Sequence, residues 1–111
     1  MAGKALEITV REAAAKLQNS GAELIDVREP EEFAMAHIEP SRLVPMNSVP
    51  AQLQTLEGIS DERDLLVLCH HGVRSLQVAA WLREKGIENC YSVAGGIDRW
   101  SIELDPAVPR Y

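Results

Sequence analysis

The sequence predicts an α/β domain with a mainly parallel sheet and helices on both faces. Short apolar runs and helical stretches alternate along the chain, and that order is typical of such domains. The run at 65–68 is apolar at every position, which indicates a parallel strand that is covered on both faces. A chain of 111 residues is long enough for one domain. We therefore expect residues 1–111 to form a single domain, with a tail at 101–111.

The first half of the chain predicts a helix, a strand and a second, shorter helix. Thr9 and Glu12 have the spacing of a capping box, so a helix is expected at 11–19. The apolar run at 23–27 suits a buried strand. A proline followed by acidic residues is favourable in the first turn of a helix, which places the second helix at 31–38.

The second half continues the alternation. Pro45 ends an edge strand, because a proline has no N–H to offer the sheet. The final stretch, DPAVPRY, has too much proline for a helix or a strand. The predicted elements are, in order, an edge strand at 42–45, a short helix at 49–56, a strand at 65–68, a helix at 75–85, a strand at 90–93 and a helical segment at 97–100.

Composition and charge argue against several partners and locations. The net charge of −6 disfavours nucleic acid or an anionic membrane as the main partner. No apolar run approaches the length of a membrane span, and MAGKALEITV has no apolar core followed by a cleavage site, so no signal peptide is predicted. Two cysteines, Cys69 and Cys90, do not make a disulfide scaffold. We expect a reduced, cytoplasmic protein.

The stretch LLVLCHHGVRS places a thiol, Cys69, where a predicted parallel strand ends and a helix follows. In such sheets, sites form beyond the carboxyl ends of the strands. The N–H groups of the loop and of the first helical turn favour a thiolate there. Gly72 permits a backbone turn that a Cβ would obstruct, and Arg74 adds a charge whose forked donors suit oxyanions.

Cys69 has four interpretations: a buried packing residue, a zinc ligand, a phosphatase nucleophile and a sulfur carrier. Packing alone is disfavoured, because a glycine, an arginine and a helix start follow at once. A zinc site would use Cys69, His70 and His71, but adjacent side chains on an extended segment diverge, and the chain has no CxxC or HxxxH spacing. Cys90 is interpreted as strand packing rather than as a resolving thiol.

The length of the loop separates the phosphatase from the sulfur carrier. Four residues lie between Cys69 and Arg74, whereas tyrosine phosphatases have one more. A phosphatase loop must enclose a tetrahedral phosphate, and a shorter loop makes a smaller cradle. The active loop at 69–74 therefore suits a single extra sulfur on Cys69 better than a phosphate group.

Three segments of the chain resemble the signatures of the rhodanese family of sulfurtransferases. They are LIDVREPEEFAMAHI, CHHGVRS and VAGGIDRW, and they stand in the family's order. The final WSIELDPAVPRY further resembles rhodanese domains fused to the adenylyltransferases of molybdopterin and thiamine synthesis. The resemblance implies a single-domain, rhodanese-like, three-layer fold with a five-stranded parallel sheet and helices on both faces.

The resemblance also implies a double-displacement reaction through a persulfide on Cys69. The thiolate would attack the outer sulfur of a donor such as thiosulfate, and a thiol, cyanide or a sulfur-carrier protein would then remove that sulfur. Backbone N–H groups of the loop would surround the persulfide, and Arg74 would bind the sulfonate end of thiosulfate. No metal or organic cofactor is implied. The substrate-binding residues implied in this way are His70, His71, Gly72, Val73, Arg74 and Ser75.

Two other functions stay open at this stage. A sulfur-relay module would pass persulfide sulfur between proteins with little thiosulfate turnover, and the likeness of the tail favours it. Phosphatase or arsenate reductase activity is disfavoured by the length of the loop. A monomer or a weak dimer is the expected state.

The other polar and aromatic residues of these segments are interpreted as structural. His37 is expected to bond to nearby backbone, and Asp26 with Arg28 to brace the floor near the loop. Trp81 and Trp100 occupy positions on helical stripes, which are typical of a core.

Overall fold

A computed structural model describes residues 5–111 of the chain, in which strands and helices alternate. The signal-peptide prediction concerns residues 1–4 as well, and that part of it lies outside the described residues. Within 5–111, no helix is long and apolar enough to cross a bilayer.

The strands are β1 (Glu7–Ile8), β2 (Ala22–Asp26), β3 (Arg42–Leu43), β4 (Asp64–Leu68) and β5 (Cys90–Val93). The helices are α1 (Val10–Gln18), α2 (Pro30–Met35), α3 (Leu53–Ser60), α4 (Val73–Glu84) and α5 (Gly96–Glu103). Two short 3₁₀ segments, Met46–Ser48 and Pro50–Gln52, precede α3.

All five strands pair in parallel in the order β1-β5-β4-β2-β3, which confirms the expected sheet and puts β4 at its centre. β3 lies at one edge, as predicted. Leu68, the last residue of β4, pairs with Asp26 of β2, and Val67 pairs with Ser92 of β5. Cys69 therefore emerges between the ends of two neighbouring strands.

Helices cover both faces of the sheet. The side chains of β4 alternate between two cores, one on each face. Val67 packs in one core with residues of α3 and α4 such as Leu82. Leu68 packs in the other with residues of α1 and α5 such as Ile97. All four of these side chains are buried, so the continuous apolar run of β4 reflects burial on both faces.

Helix α2 is shorter than the predicted helix at 31–38, since it ends at Met35. Ala36 has extended backbone (φ −164°, ψ 135°), and its carbonyl accepts a hydrogen bond from Nη2 of Arg28 at 2.7 Å. A longer helix would pair that carbonyl with residue 40, which is Pro40 and has no N–H. The extended backbone of Ala36 ends the helix, and the bond from Arg28 satisfies the carbonyl at this point.

Other boundaries differ by a few residues. The sequence does not predict β1, because two residues carry no readable alternation. α4 begins at Val73 rather than at 75, and α5 continues to Glu103, into the predicted tail. The helix expected at 49–56 begins as a 3₁₀ turn, a common start for an α-helix, and only then becomes α3.

The capping box at the start of α1 is present as predicted. The Thr9 hydroxyl oxygen accepts from the N–H of Glu12 at 3.1 Å, and the Glu12 carboxylate accepts from the N–H of Thr9 at 2.8 Å. The two bonds satisfy N–H groups that have no partner within the helix, so they fix where α1 begins.

Candidate active site

Cys69 lies directly after the central strand, and only 1% of the residue is exposed. Its Sγ accepts hydrogen bonds from the backbone N–H groups of Gly72 (3.0 Å) and Ser75 (3.3 Å). The Cys69 thiol donates to the hydroxyl oxygen of Ser75 at 3.4 Å, and that hydroxyl is free to rotate and donate when the sulfur is a thiolate. The two backbone donors favour an anion on the sulfur, because each places a partial positive charge against it. The loop is therefore built as a cradle for a thiolate.

A second buried hydroxyl lies behind the cradle. Ser92 Oγ is 2.8 Å from Ser75 Oγ, and both residues are fully buried. The sequence predicts Ser75 only through its backbone N–H and gives no sign of Ser92. The parallel register, which pairs Ser92 with Val67 of β4, is what brings this hydroxyl to the site.

Two glycines allow close backbone packing around the loop. Gly72 has φ 103°, and a Cβ there would lie 3.1 Å from the backbone N of Gly95. A Cβ on Gly96 would collide with the carbonyl oxygen of Cys69. In the space left by the missing Cβ, the N–H of Ile97 donates to that same carbonyl at 2.9 Å. The start of α5 thus holds the loop through this hydrogen bond. The close approach explains the second glycine of the Gly-Gly pair in VAGGIDRW.

Arg74, the charge expected at the rim, is held by a carboxylate from α2. Its Nη1 and Nη2 donate to Oε1 and Oε2 of Glu32 at 2.7 and 2.9 Å, which makes a bidentate pair. Hydrogen bonding to Arg74 lowers the pKa of Glu32 to about 2, and Glu32 in turn raises the pKa of Arg74. The sequence places Glu32 in the first turn of a helix and gives no sign of this contact.

Glu32 is fixed by two further donors. The backbone N–H of Glu29 donates to its Oε1 at 3.0 Å, and the Tyr111 hydroxyl donates to its Oε2 at 2.8 Å. The same hydroxyl accepts from Nη1 of Arg28 at 2.8 Å. A continuous polar network therefore runs from Arg28 through Tyr111 and Glu32 to Arg74.

Asp26 and Arg28 form the structural pair that was predicted. Both side chains are fully buried, with Nη2 to Oδ2 at 2.7 Å and Nε to Oδ1 at 2.9 Å. Each charge is compensated by the other, as a buried charge requires. Arg28 also donates to the backbone carbonyl of Ala36, so the pair joins the end of β2 to the segment after α2.

The two histidine rings of the loop stack on each other. The ring of His70 lies between those of His71 (centroids 3.9 Å apart) and Tyr111 (3.8 Å, 8° between planes). Burial, with the neighbouring His71, lowers the pKa of His70, and its Nε2 is buried with no hydrogen-bond partner among residues 5–111. His71 Nδ1 lies 3.9 Å from an Asp98 carboxylate oxygen.

The final segment of the chain packs against the active loop, as no pattern in the sequence suggested. The buried Val108 carbonyl accepts from the Ser101 hydroxyl at 2.6 Å. Arg110 pairs with Asp98 at 2.7 Å. These contacts place Tyr111 against the loop. Its pKa is raised, mainly by burial.

The other residues that the sequence analysis interpreted as structural make packing or backbone contacts. His37 Nδ1 is 3.0 Å from the Phe33 carbonyl, Trp100 is buried, and Trp81 packs against the core of α3 and α4. Cys90 is fully buried in β5, and burial raises its thiol pKa to about 12. Among residues 5–111, no three His, Cys, Asp or Glu side chains are grouped to hold a metal ion.

Comparison with known proteins places this sheet and loop in one family. Residues 9–103 match the family described as rhodanese-like domain, and the chain belongs to it. The thiosulfate sulfurtransferase GlpE of Vibrio cholerae is 34% identical over 95 residues, which cover 86% of this chain and 87% of that protein. The rhodanese-like/PpiC domain-containing protein 12 of Arabidopsis thaliana is 36% identical over 110 residues, and the chain spans 37% of its length.

Solved structures agree with the fold. The rhodanese-related protein of Thermoplasma volcanium superposes with a TM-score of 0.79 at 27% identity, over 90% of this chain and 94% of that one. The human single-domain sulfurtransferase TSTD1 superposes with a TM-score of 0.77 at 25% identity, over 90% of this chain and 98% of that one.

Proposed function

We propose that the chain is a sulfurtransferase that carries sulfane sulfur as a persulfide on Cys69. The observation that carries this proposal is the cradle, in which two backbone N–H groups and one hydroxyl converge on Sγ. The name of the Vibrio cholerae relative, a thiosulfate sulfurtransferase, supports the same chemistry. No metal or organic cofactor enters the reaction.

The reaction has two displacements. The Cys69 thiolate attacks the outer sulfur of thiosulfate, the donor's S–S bond breaks, and sulfite leaves with the electron pair. A thiolate or cyanide then attacks the outer sulfur of the persulfide, and the Cys69 thiolate leaves. The negative charge stays beside the loop N–H groups in both steps, where fixed donors stabilise it without rearrangement.

Different residues of the loop offer N–H groups to the two sulfur atoms of the persulfide. Gly72 and Ser75 already donate to Sγ. Val73 and Arg74 lie in the first turn of α4, whose N–H groups have no acceptor within the helix and are available to the outer sulfur. His70 and His71 contribute backbone N–H groups on the other side of the loop.

Intact mass spectrometry tests the proposal. The purified full chain is incubated with thiosulfate or a small persulfide, and an adduct of one sulfur atom is expected. Cys69→Ala should abolish the adduct, whereas Cys90→Ala, the matched control at the second thiol, should retain it. Failure of the wild-type chain to take up sulfur from any donor would contradict the proposed function.

A sulfur relay between proteins is the second candidate. It is favoured by the engagement of Arg74 with Glu32, which limits its use as an anchor for thiosulfate. Under this function, a persulfidated protein should load Cys69 faster than thiosulfate does, and a sulfur-carrier protein should unload it. Efficient thiosulfate turnover with no transfer between proteins would exclude the relay.

The partners and location follow as parts of the same proposal. The donor is a small anionic sulfur compound, and the acceptor is a thiol, cyanide or a sulfur-carrier protein, with no nucleic acid or membrane partner. We propose a cytoplasmic protein that is a monomer or a weak dimer, which size-exclusion chromatography over a range of concentrations would test. Cys69-dependent turnover of an aryl phosphate would instead support the phosphatase interpretation.

A further inference from the structure

We propose that Glu32, held in place by Tyr111, sets the charge preference of the sulfur-donor site by neutralising Arg74. The site then favours donors with one negative charge over the dianion thiosulfate. The inference rests on the proposed function at Cys69 and names the class of donor that this site takes. Glu32 acts through Arg74, so it is a positioning residue rather than a catalytic one.

Arg74 is already paired with the Glu32 carboxylate. Both terminal nitrogens of its guanidinium donate to the same carboxylate, at 2.7 and 2.9 Å. A sulfonate that binds Arg74 in the same forked way must displace that carboxylate. The side chains of Arg74 and Glu32 are 32% and 18% exposed, so solvent screens the pair less than it screens a surface pair.

Glu32 is also held by hydrogen bonds from residues other than Arg74. Its Oε1 also accepts from the N–H of Glu29, which belongs to the capping box of α2, and its Oε2 also accepts from Tyr111. Tyr111 is held by stacking on His70 and by a hydrogen bond from Arg28. Displacing Glu32 from Arg74 therefore disturbs a helix cap and a phenol hydrogen bond as well as the ion pair.

The other arginines near Tyr111 and the active loop are also paired with carboxylates. Arg28, which contacts Tyr111, is paired with Asp26 at 2.7 Å. Arg110 is paired with Asp98 at 2.7 Å, and His71 lies 3.9 Å from the same carboxylate. Arg28 and Arg110 each face a carboxylate, so they supply little surplus positive charge to attract a dianion.

The Glu32 carboxylate should repel a dianionic donor about twice as strongly as a monoanionic one. The Coulomb energy between a donor and the Glu32 carboxylate scales with the charge of the donor. Removal of the carboxylate charge therefore changes the binding free energy of a dianion about twice as much as that of a monoanion. As a fold-change, the effect on the dianion is about the square of the effect on the monoanion.

Thiosulfate and methanethiosulfonate are the donor pair for the test. Both carry a transferable outer sulfur on a sulfonyl-type sulfur, but the first is a dianion and the second a monoanion. In each case the Cys69 thiolate forms the new S–S bond, and sulfite or methanesulfinate leaves with the electron pair of the broken one. KM and kcat with cyanide as acceptor, and the rate of sulfur uptake by intact mass, are measured for the full chain.

Glu32→Gln removes the charge and keeps the shape, because a glutamine oxygen still accepts from the N–H of Glu29. The expected KM falls roughly tenfold for thiosulfate and about threefold for methanethiosulfonate, with kcat little changed. Tyr111→Phe keeps the stacked ring but loses the hydroxyl on Glu32, so a smaller change in the same direction is expected. Glu31→Gln, at an exposed neighbour, is the control and should leave both KM values unchanged.

The outcomes separate two failures. Equal changes for the two donors, or a rise in the thiosulfate KM of Glu32→Gln, would overturn the charge preference and leave the sulfurtransferase proposal intact. Absence of a Cys69 adduct from both donors in the wild-type chain would overturn this inference, and absence of an adduct from a small persulfide as well would overturn the proposed function. Should Glu32→Gln not fold, Tyr111→Phe leaves helix α2 untouched and decides the question by the same comparison.

Discussion

The hydroxyl oxygens of Ser75 and Ser92 lie 2.8 Å apart, and neither residue reaches solvent. Ser75 Oγ is also 3.4 Å from Cys69 Sγ. The Cys69 thiol donates to Ser75 in this structure, and when Cys69 is a thiolate both contacts are kept if Ser92 donates to Ser75 and Ser75 donates to the sulfur. A residue in the middle of β5 thereby orients the hydroxyl that faces the thiolate.

Ser92→Ala should lower stability and slow sulfur uptake. The substitution leaves the buried Ser75 hydroxyl with one partner fewer, so the free energy of unfolding in urea should fall by about 1–2 kcal/mol. Uptake by Cys69 should slow by less than about tenfold, because the two backbone donors remain. Ser60→Ala removes an exposed hydroxyl at the end of α3 and should change neither quantity by much. Wild-type stability in Ser92→Ala would contradict this account.

Gly72→Ala should disturb the cradle itself, and Gly86→Ala is its matched control. Both glycines have positive φ, 103° and 99°, so both substitutions should cost about 1–2 kcal/mol of stability. A Cβ on Gly72 meets Gly95, whereas a Cβ on Gly86 meets nothing within 4 Å. Only Gly72→Ala should therefore reduce persulfide formation, by about tenfold or more. Equal persulfide yields in the two variants would count against the proposed loop geometry.

Arg74→Ala should raise the KM for thiosulfate by roughly tenfold. The variant removes the cation and leaves the Glu32 carboxylate facing the donor site without its partner. The half-life of the persulfide should change less, because the N–H groups of the loop remain. Arg63→Ala, which lies before β4 at the opposite end of the sheet, should leave the KM unchanged. An unchanged thiosulfate KM in Arg74→Ala would show that the charge of Arg74, and with it the Glu32 pair, does not act on the donor.

The ion pair of Glu32 should make stability depend on acid pH. Hydrogen bonding to Arg74 lowers the pKa of Glu32 in the folded chain to about 2, from an ordinary value of 4.5. The folded state thus binds the proton less readily than the unfolded state, so the stabilisation is complete above about pH 4.5 and is lost as pH falls toward 2.

Unfolding free energies of the wild type and Glu32→Gln measure this effect. The gap between them should be about 1–2 kcal/mol near pH 6, after allowance for solvent screening, and should close between pH 4.5 and 2. Glu31→Gln, whose carboxylate is exposed, should track the wild type throughout. A gap that is constant across this range would exclude the ion pair as its cause.

The sheet and the thiol could be predicted because their signals are local. The apolar run before Cys69 marks β4, and the spacing to Arg74 sets the size of the loop. Asp26 and Arg28 are only two residues apart, so their pairing is visible in the sequence as well.

The surroundings of the loop could not be predicted, because they join distant parts of the chain. Glu32 is 42 residues from Arg74 and 79 from Tyr111, and Ser92 is 17 from Ser75. Each contact depends on how helices and strands pack rather than on any local pattern. The tail is the clearest case, since its irregular composition gives no sign that it packs on the active loop.

The burial of Cys69 limits which molecules can reach its sulfur. With 1% of the residue exposed, its sulfur belongs to the same apolar cluster as Val67 and Val78. We therefore expect the outer sulfur of a narrow donor to reach Sγ more readily than a bulky disulfide does. For the same reason, we expect a sulfur atom loaded on Cys69 to react more slowly with large oxidants than with small ones.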